Sequence, residues 1–150
     1  MAHTFTNLLT HIIFSTKSRR ALIHDELRDD LFAYMGGVVR NLGGTPVLIN
    51  GPKDHVHLLL VVPAKVSISE LLGKLKANST KWVHETRPDH QSFAWQTGYS
   101  AFAVSDSNRG KVIAYIQNQQ EHHKKISFEE EFVAFLKKNN IPYDPRFVVD

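Results

Sequence analysis

The chain has 150 residues, of which 42% are hydrophobic and 22% charged, as in an ordinary globular domain with its own core. Its formal net charge of +3 is compatible with binding a polyanion but does not require it. The absence of cysteine excludes disulfides and thiolate zinc sites and fits a reducing cytoplasm, where we expect the protein to act. We expect one domain over residues 1–150 and no membrane partner, because no apolar run reaches the roughly 20 residues of a membrane span.

The first elements are predicted to be a strand, a helix and a hairpin. Mixed apolar and β-branched residues over 5–15 predict a strand buried on at least part of both faces. Apolar residues at helical spacing predict a helix from His24 to Leu42, which Gly43 and Gly44 end. A short strand and a turn then lead into the strand that begins at His55.

Two capping boxes predict the starts of later helices. Ser67 with Glu70 opens one helix, and Ser127 with Glu130 opens the last one. In both, the serine side chain accepts a hydrogen bond from a backbone N–H that would otherwise lack a partner. The chain after Ile141 is predicted to be irregular.

Two short strands and a third helix are predicted between these capping boxes. The strands cover 93–96 and 99–105, and the helix runs from Asp106 or Ser107 to about His122. The resulting order is β-α-β-β-α-β-β-α-α. It favours an α/β (α+β) fold in which a mostly antiparallel sheet carries helices mainly on one face.

Two histidines share one face of the strand that begins at His55. Side chains alternate along a strand, so His55 and His57 point the same way and Val56 points the other way. Two adjacent imidazoles can form half of a metal site. Taken alone, two such histidines are more often ordinary strand residues than metal ligands, because short motifs arise readily by chance.

The third predicted helix offers the other half of that site. At about 100° per residue, Tyr115 lies about 200° from Ile113, which places it on a polar face away from a core formed by Ile113 and Ile116. Gln119 lies one turn beyond Tyr115 on that face, and its amide oxygen could complete a three-ligand divalent site. The phenol could then attack a phosphate polarised by the metal, provided that a nearby cation favours phenolate, since the pKa of tyrosine is about 10.

In this order, the motifs resemble those of the HUH-type single-tyrosine transposases of small insertion sequences, the IS200-like single-strand DNA transposases. HUH stands for histidine, a bulky apolar residue and histidine, here His55, Val56 and His57. The segments 10–20, 95–99 and 115–119 also resemble that family. The resemblance implies a ferredoxin- or RRM-like sandwich and a transposase that nicks and rejoins single-stranded DNA at insertion-sequence ends, near the nucleoid of a prokaryote.

The resemblance also implies roles for individual residues. His55, His57 and Gln119 would hold Mg²⁺ or Mn²⁺ against the scissile phosphate. Tyr115 would attack that phosphate and leave a 5′-phosphotyrosine link and a free 3′-hydroxyl. Mg²⁺ prefers oxygen ligands, whereas two imidazoles favour Mn²⁺ or another transition metal, so both ions stay open.

The implied partners are a DNA hairpin at the ends of the element and a second subunit. In the homodimer of this family, the tyrosine helix of one subunit can complete the site of the other. Phosphate contacts are expected from five basic residues, with a solvated surface as the alternative for each: Lys17, Arg19, Arg20, Lys76 and Lys81.

Two other functions are compatible with parts of the pattern. An RRM-like module could hold nucleic acid without cutting it. A histidine-triad phosphohydrolase would need a further histidine where this chain has Leu59. Three more histidines, His11, His122 and His123, could approach the metal, but each is more readily explained as a surface or core residue.

Overall fold

The structure is a computed structural model that describes residues 3–122 and 125–147, apart from the side chains of residues 120 and 147. An antiparallel sheet runs through it with the strand order β2-β3-β1-β4. The strands are β1 Leu9–Ser15, β2 Thr45–Asn50, β3 His55–Val61 and β4 Ser100–Ala103. The helices are α1 Asp25–Asn41, α2 Ile68–Thr86, α3 Arg109–Gln117, α4 Gln119–His122 and α5 Phe128–Lys138.

The predicted fold class is confirmed. The chain order β1-α1-β2-β3-α2-β4, with every strand pair antiparallel, is that of a ferredoxin- or RRM-like sheet. β1 and β3 occupy the two central places and are buried along almost their whole length. Ile13 of β1 lies opposite His57 of β3, so the histidine pair is carried by one of the two central strands of the sheet.

Both faces of the sheet are covered. On one face, Ile12 and Phe14 of β1 and Leu58 of β3 pack against α1 and α2 in the main core. The helices α3 and α5 cover the other face, instead of joining α1 and α2 on a single side as expected. The reason is that β1 and β3 are apolar on this face as well, where Ile13 and Leu59 need cover.

The helix starts confirm the two capping boxes. The hydroxyl oxygen of Ser67 accepts a hydrogen bond from the backbone N–H of Glu70 at 3.0 Å. Ser127 accepts the equivalent bond from Glu130 at 3.2 Å. Because α5 has its own cap, it begins at a defined residue and presents a defined face to the sheet.

Three predicted boundaries are wrong. The first strand begins at Leu9 instead of residue 5, since Phe5 is 92% exposed. The segment 93–96 is not a strand: Trp95 makes one bridge with Thr16, and its indole N–H donates to the Ser79 hydroxyl at 2.9 Å. The third helix is interrupted after Gln117. There the side-chain amide of Asn50 donates to the Ile116 carbonyl at 2.8 Å and competes with the hydrogen bonds that would continue the helix.

No helix within the described ranges is both long and apolar enough to cross a membrane.

The turn before β3 yields a stability prediction. A Cβ on Gly51 would contact the His55 carbonyl oxygen and lie 3.0 Å from the Val56 Cα, so Gly51→Ala should lower the free energy of unfolding by about 1–3 kcal/mol. Gly73 in α2 is the matched control, because nothing lies within 4 Å of its Cβ. Gly73→Ala should raise the same quantity by about 0.5–1 kcal/mol through helix propensity. Urea denaturation of both variants measures the two changes in the free energy of unfolding, which should have opposite signs. Two changes of the same sign would contradict the turn geometry.

Candidate metal and tyrosine site

Neighbouring strands bring three histidines together. His55 and His57 point to the same face of β3 and are fully buried, as the alternation predicted. Nδ1 of His57 lies 2.9 Å from Nε2 of His11 on β1, and Nδ1 of His55 lies 2.7 Å from the Asp54 carboxylate. These contacts fix both ring orientations and leave the two Nε2 atoms directed toward α5.

A carboxylate from α5 meets those two nitrogens. Oε1 of Glu131 lies 3.0 Å from Nε2 of His57 and 3.4 Å from Nε2 of His55, and the carboxylate is only 2% exposed. One ligand atom from each of the three residues lies within 4.8 Å of the others, close enough to hold one metal ion. Two neutral imidazoles and one carboxylate are a suitable donor set for a divalent cation.

Gln119 is buried beside this group. Its amide N–H donates to the Tyr115 carbonyl at 3.3 Å, but its side-chain oxygen accepts no hydrogen bond in the part of the chain that the structure describes. A buried acceptor without a partner costs about 1–3 kcal/mol, which a bound cation would offset. The expected ligand role of Gln119 fits this observation and stays a prediction.

The Tyr115 hydroxyl reaches the same carboxylate. It donates to Oε2 of Glu131 and lies 3.2 Å from Nε2 of His122, and its ring centre is 5.8 Å from that of His57. Burial, and then the hydrogen bond to Glu131, raise the pKa of Tyr115 well above its ordinary value. The phenol is therefore neutral in this arrangement, and it could act as a nucleophile only by passing its proton to a neighbour.

The predicted orientation of the third helix is wrong. Tyr115 and Gln119 face the sheet together with Ile116, instead of lying on a polar face away from the core. Tyr115 is only about 100° from Ile116 around a helix, so burying Ile116 carries Tyr115 inward. The surface that receives them is itself partly polar, because His57 and His11 lie on it.

His11 and His122 both belong to the site, although the sequence favours an ordinary core or surface role for each. His11 is buried, and burial followed by the nearby His57 lowers its pKa to about 3, so it remains a neutral hydrogen-bonding partner. His122 is half-buried, with Nε2 3.0 Å from Oε2 of Glu131. His123 lies outside the described residues.

His55 has a raised pKa. Burial alone would lower the pKa of His55, but its bonds to Asp54 and Glu131 raise it above its ordinary value.

Glu131 is the residue that sequence reasoning missed. It is the third of three consecutive glutamates in the first turn of α5, where acidic residues are ordinary and suit the helix dipole. The available signal was its spacing, because Glu131 lies three residues after Phe128 and four before Phe135, within the apolar stripe of the helix. A carboxylate in an apolar stripe indicates a buried partner.

The five basic residues predicted to contact phosphate are spread over two regions. Lys17 and Arg20 are exposed, and the Arg19 guanidinium lies 3.4 Å from Glu129. The Lys76 ammonium donates to the carbonyl of Gly98 at 2.6 Å, and burial lowers its pKa to about 8. Lys81 is exposed on the same helix as Lys76. Their DNA contacts stay predictions.

Known proteins share this sequence and architecture. Residues 4–119 match the model of the family described as "Transposase IS200 like". Over 134 residues the chain is 32% identical to the transposase for insertion sequence element IS200 of Salmonella typhimurium strain LT2, covering 83% of this chain and 84% of that one. The chain belongs to the IS200-like transposase family. It is therefore a transposase, and the resemblance carried by its motifs is confirmed.

Solved structures agree with that assignment. A crystal structure from Deinococcus radiodurans R1, described as that of a transposase, aligns with a TM-score of 0.61 at 27% identity, over 79% of this chain and 95% of that one. A REP-associated tyrosine transposase bound to a REP hairpin aligns with a TM-score of 0.62 over 97% of this chain and 92% of that one, at 13% identity, and shares the fold. The IS200-like match ends at Gln119, so it includes Tyr115 but leaves Glu131 outside.

Proposed function

We propose that this IS200-like transposase nicks and rejoins single-stranded DNA at insertion-sequence ends through a 5′-phosphotyrosine intermediate on Tyr115. One observation carries the proposal: the Tyr115 hydroxyl and the His55–His57 pair contact the two oxygens of a single buried carboxylate, Glu131. A nucleophile and a cation-binding group thus lie within reach of one phosphate.

His55, His57 and Glu131 would hold the metal ion, with the buried amide oxygen of Gln119 as a fourth ligand. A bound divalent ion would polarise a non-bridging phosphate oxygen and stabilise the charge that develops there. Mg²⁺ and Mn²⁺ both remain candidates. The two imidazoles favour Mn²⁺, whereas the carboxylate and amide oxygens suit Mg²⁺.

The remaining steps belong to side chains of this chain. Asp54 and His11 hold the imidazoles of His55 and His57 in place through contacts of 2.7 and 2.9 Å. As the Tyr115 oxygen bonds to phosphorus, its proton passes to Oε2 of Glu131 or to His122, both already in contact with the hydroxyl. The bond from phosphorus to the 3′-oxygen breaks, and that oxygen takes up a proton from solvent. Attack by another 3′-hydroxyl reverses the step without ATP.

The partners follow from the same proposal. A DNA hairpin is the expected substrate, supported by the structural neighbour that was solved with a REP hairpin. Lys17, Arg19, Arg20, Lys76 and Lys81 are the proposed phosphate contacts, and the nucleoid in the cytoplasm is the proposed location. All the site residues converge within one chain, so a single subunit can assemble the site. A homodimer that exchanges its tyrosine helices stays a prediction.

The test is trapping of the covalent intermediate. Single-stranded hairpins taken from the flanks of the gene, incubated with the protein and Mn²⁺ or Mg²⁺, should give a protein–DNA adduct on a denaturing gel. Protease digestion and mass spectrometry should place the nucleotide on the α3 peptide that contains Tyr115, and His57→Ala should give no adduct. Binding without an adduct under either metal would instead favour the RRM-like module that holds nucleic acid without cutting it.

A further inference from the structure

A cavity leads from the protein surface to the proposed nucleophile. It has a volume of about 640 Å³ and lies between the end of β4, α3 and α5, with Tyr115, His122 and Glu131 among its lining residues. This volume falls within the range of small-molecule binding sites, about 300–1,000 Å³. The fully buried His55 and His57 do not line it, so a DNA strand approaching through this opening meets Tyr115 and the Glu131 carboxylate before the two histidines.

The walls of the cavity are aromatic and aliphatic. Phe102 and Phe135 line it with rings stacked at 5.5 Å between centres, and Val112 lines it from α3. Phe135 is half-buried, so part of its ring remains accessible. Aromatic walls of this kind suit a flat, apolar ligand, and an unstacked nucleobase presents such a surface irrespective of sequence.

The rim of the cavity is positively charged. Lys111 and Lys138 line it from opposite helices and are exposed, and neither has an ion-pair partner within residues 3–122 and 125–147. Asn108 and Asn139 also line it and supply amide groups able to bond to a base edge or a sugar. An apolar interior below a cationic rim is complementary to a nucleotide, whose base is flat and whose phosphate is anionic.

We propose that this cavity binds the nucleotide whose 5′-phosphate becomes bonded to Tyr115, with its base between Phe135 and Val112 and its flanking phosphates at Lys111 and Lys138. The inference rests on the proposed function, because it takes Tyr115 as the nucleophile. It adds a protein contact to the base next to the cut. The cavity thereby holds the strand in register while its phosphate is attacked.

Equilibrium binding of mononucleotides to the full chain tests the cavity without requiring cleavage. Saturation-transfer NMR with the four deoxynucleoside 5′-monophosphates should show transfer to base protons. Deoxyribose 5-phosphate, which lacks a base, should bind at least about tenfold more weakly than the mononucleotides. Equal binding of deoxyribose 5-phosphate, or an absence of transfer to any base, would overturn the proposal.

Variants locate that binding. Ala134 is exposed and lines the cavity, so Ala134→Trp should fill it and lower mononucleotide affinity about tenfold or more. Ala33 is exposed on α1 outside the cavity, and Ala33→Trp should leave the affinity unchanged. If both variants bind equally well, the base lies elsewhere. If the protein binds mononucleotides as expected but forms no DNA adduct, the proposed reaction is refuted, whereas the proposal that the cavity binds a nucleotide stands.

The charged rim is tested with single-stranded DNA. The double variant Lys111→Ala with Lys138→Ala should weaken binding and reduce the magnitude of the slope of log affinity against log salt by about 1.4, because each removed lysine leaves one phosphate of the single strand without its cation. Lys125→Ala with Lys137→Ala is the matched control, because both lysines are exposed and lie outside the cavity. Equal salt slopes in the two double variants would show that Lys111 and Lys138 do not contact the DNA phosphates as proposed.

Discussion

The variant Tyr115→Phe should form no covalent adduct with single-stranded DNA, a loss on the order of 10⁴-fold or more, because the substitution removes the oxygen that we propose as the attacking atom. Phenylalanine keeps the ring that packs between His57, His11 and Phe135. The structural cost is the hydrogen bond to Glu131, about 1–3 kcal/mol out of a typical stability of about 5–15 kcal/mol. The protein should therefore remain folded and bind DNA while it fails to cut.

Three measurements separate the loss of chemistry from a loss of structure. A denaturing gel reports the adduct, fluorescence anisotropy reports DNA affinity, and thermal unfolding reports stability. Tyr99→Phe is the matched control: its side chain is exposed on the surface, and the variant should react like the unchanged protein. An adduct that persists in Tyr115→Phe would show that another residue is the nucleophile.

Glu131→Gln should weaken Mn²⁺ binding by about 100-fold or more. The change removes the negative charge from the candidate ligand group of His55, His57 and Glu131 while keeping nearly the same shape. Altering groups that merely orient metal ligands already costs 10–100-fold in affinity, so the loss of a ligand charge should cost at least as much. Isothermal titration calorimetry and the Mn²⁺ electron paramagnetic resonance signal measure this binding without DNA and without turnover.

The neighbouring glutamate provides a control on the same helix. Glu130 is exposed and takes part in the capping box with Ser127, a role that glutamine also fills. Glu130→Gln should therefore leave Mn²⁺ affinity unchanged. If Glu131→Gln binds Mn²⁺ as tightly as the unchanged protein, the carboxylate is not a ligand. The metal would then be restricted to the two histidines and Gln119.

If Glu131 is a ligand, part of the active site lies in a segment beyond the family match. That match ends at residue 119, and α5 begins at Phe128. The helix also contributes Phe135 to the cavity beside Tyr115. The segment that follows the matched region thus supplies one side of both the metal group and the cavity.

The sequence alone determined the parts of this protein that depend on local patterns. Strand alternation places His55 and His57 on one face, and the serine–glutamate spacing sets the starts of α2 and α5, because each effect acts within a few residues. The antiparallel fold also followed, since the order of strands and helices leaves few compact arrangements.

Only the tertiary structure decided which side chains meet. Glu131 is 74 positions from His57 in the sequence, and their 3.0 Å contact exists because α5 covers the histidine face of the sheet. Helical periodicity gives the angle between Tyr115 and Ile116 but not which of them faces the sheet. Burial of Ile116 turned α3 and brought the tyrosine inward. Packing between distant elements, which no local pattern encodes, thus joined the histidines, the carboxylate and the phenol into one site.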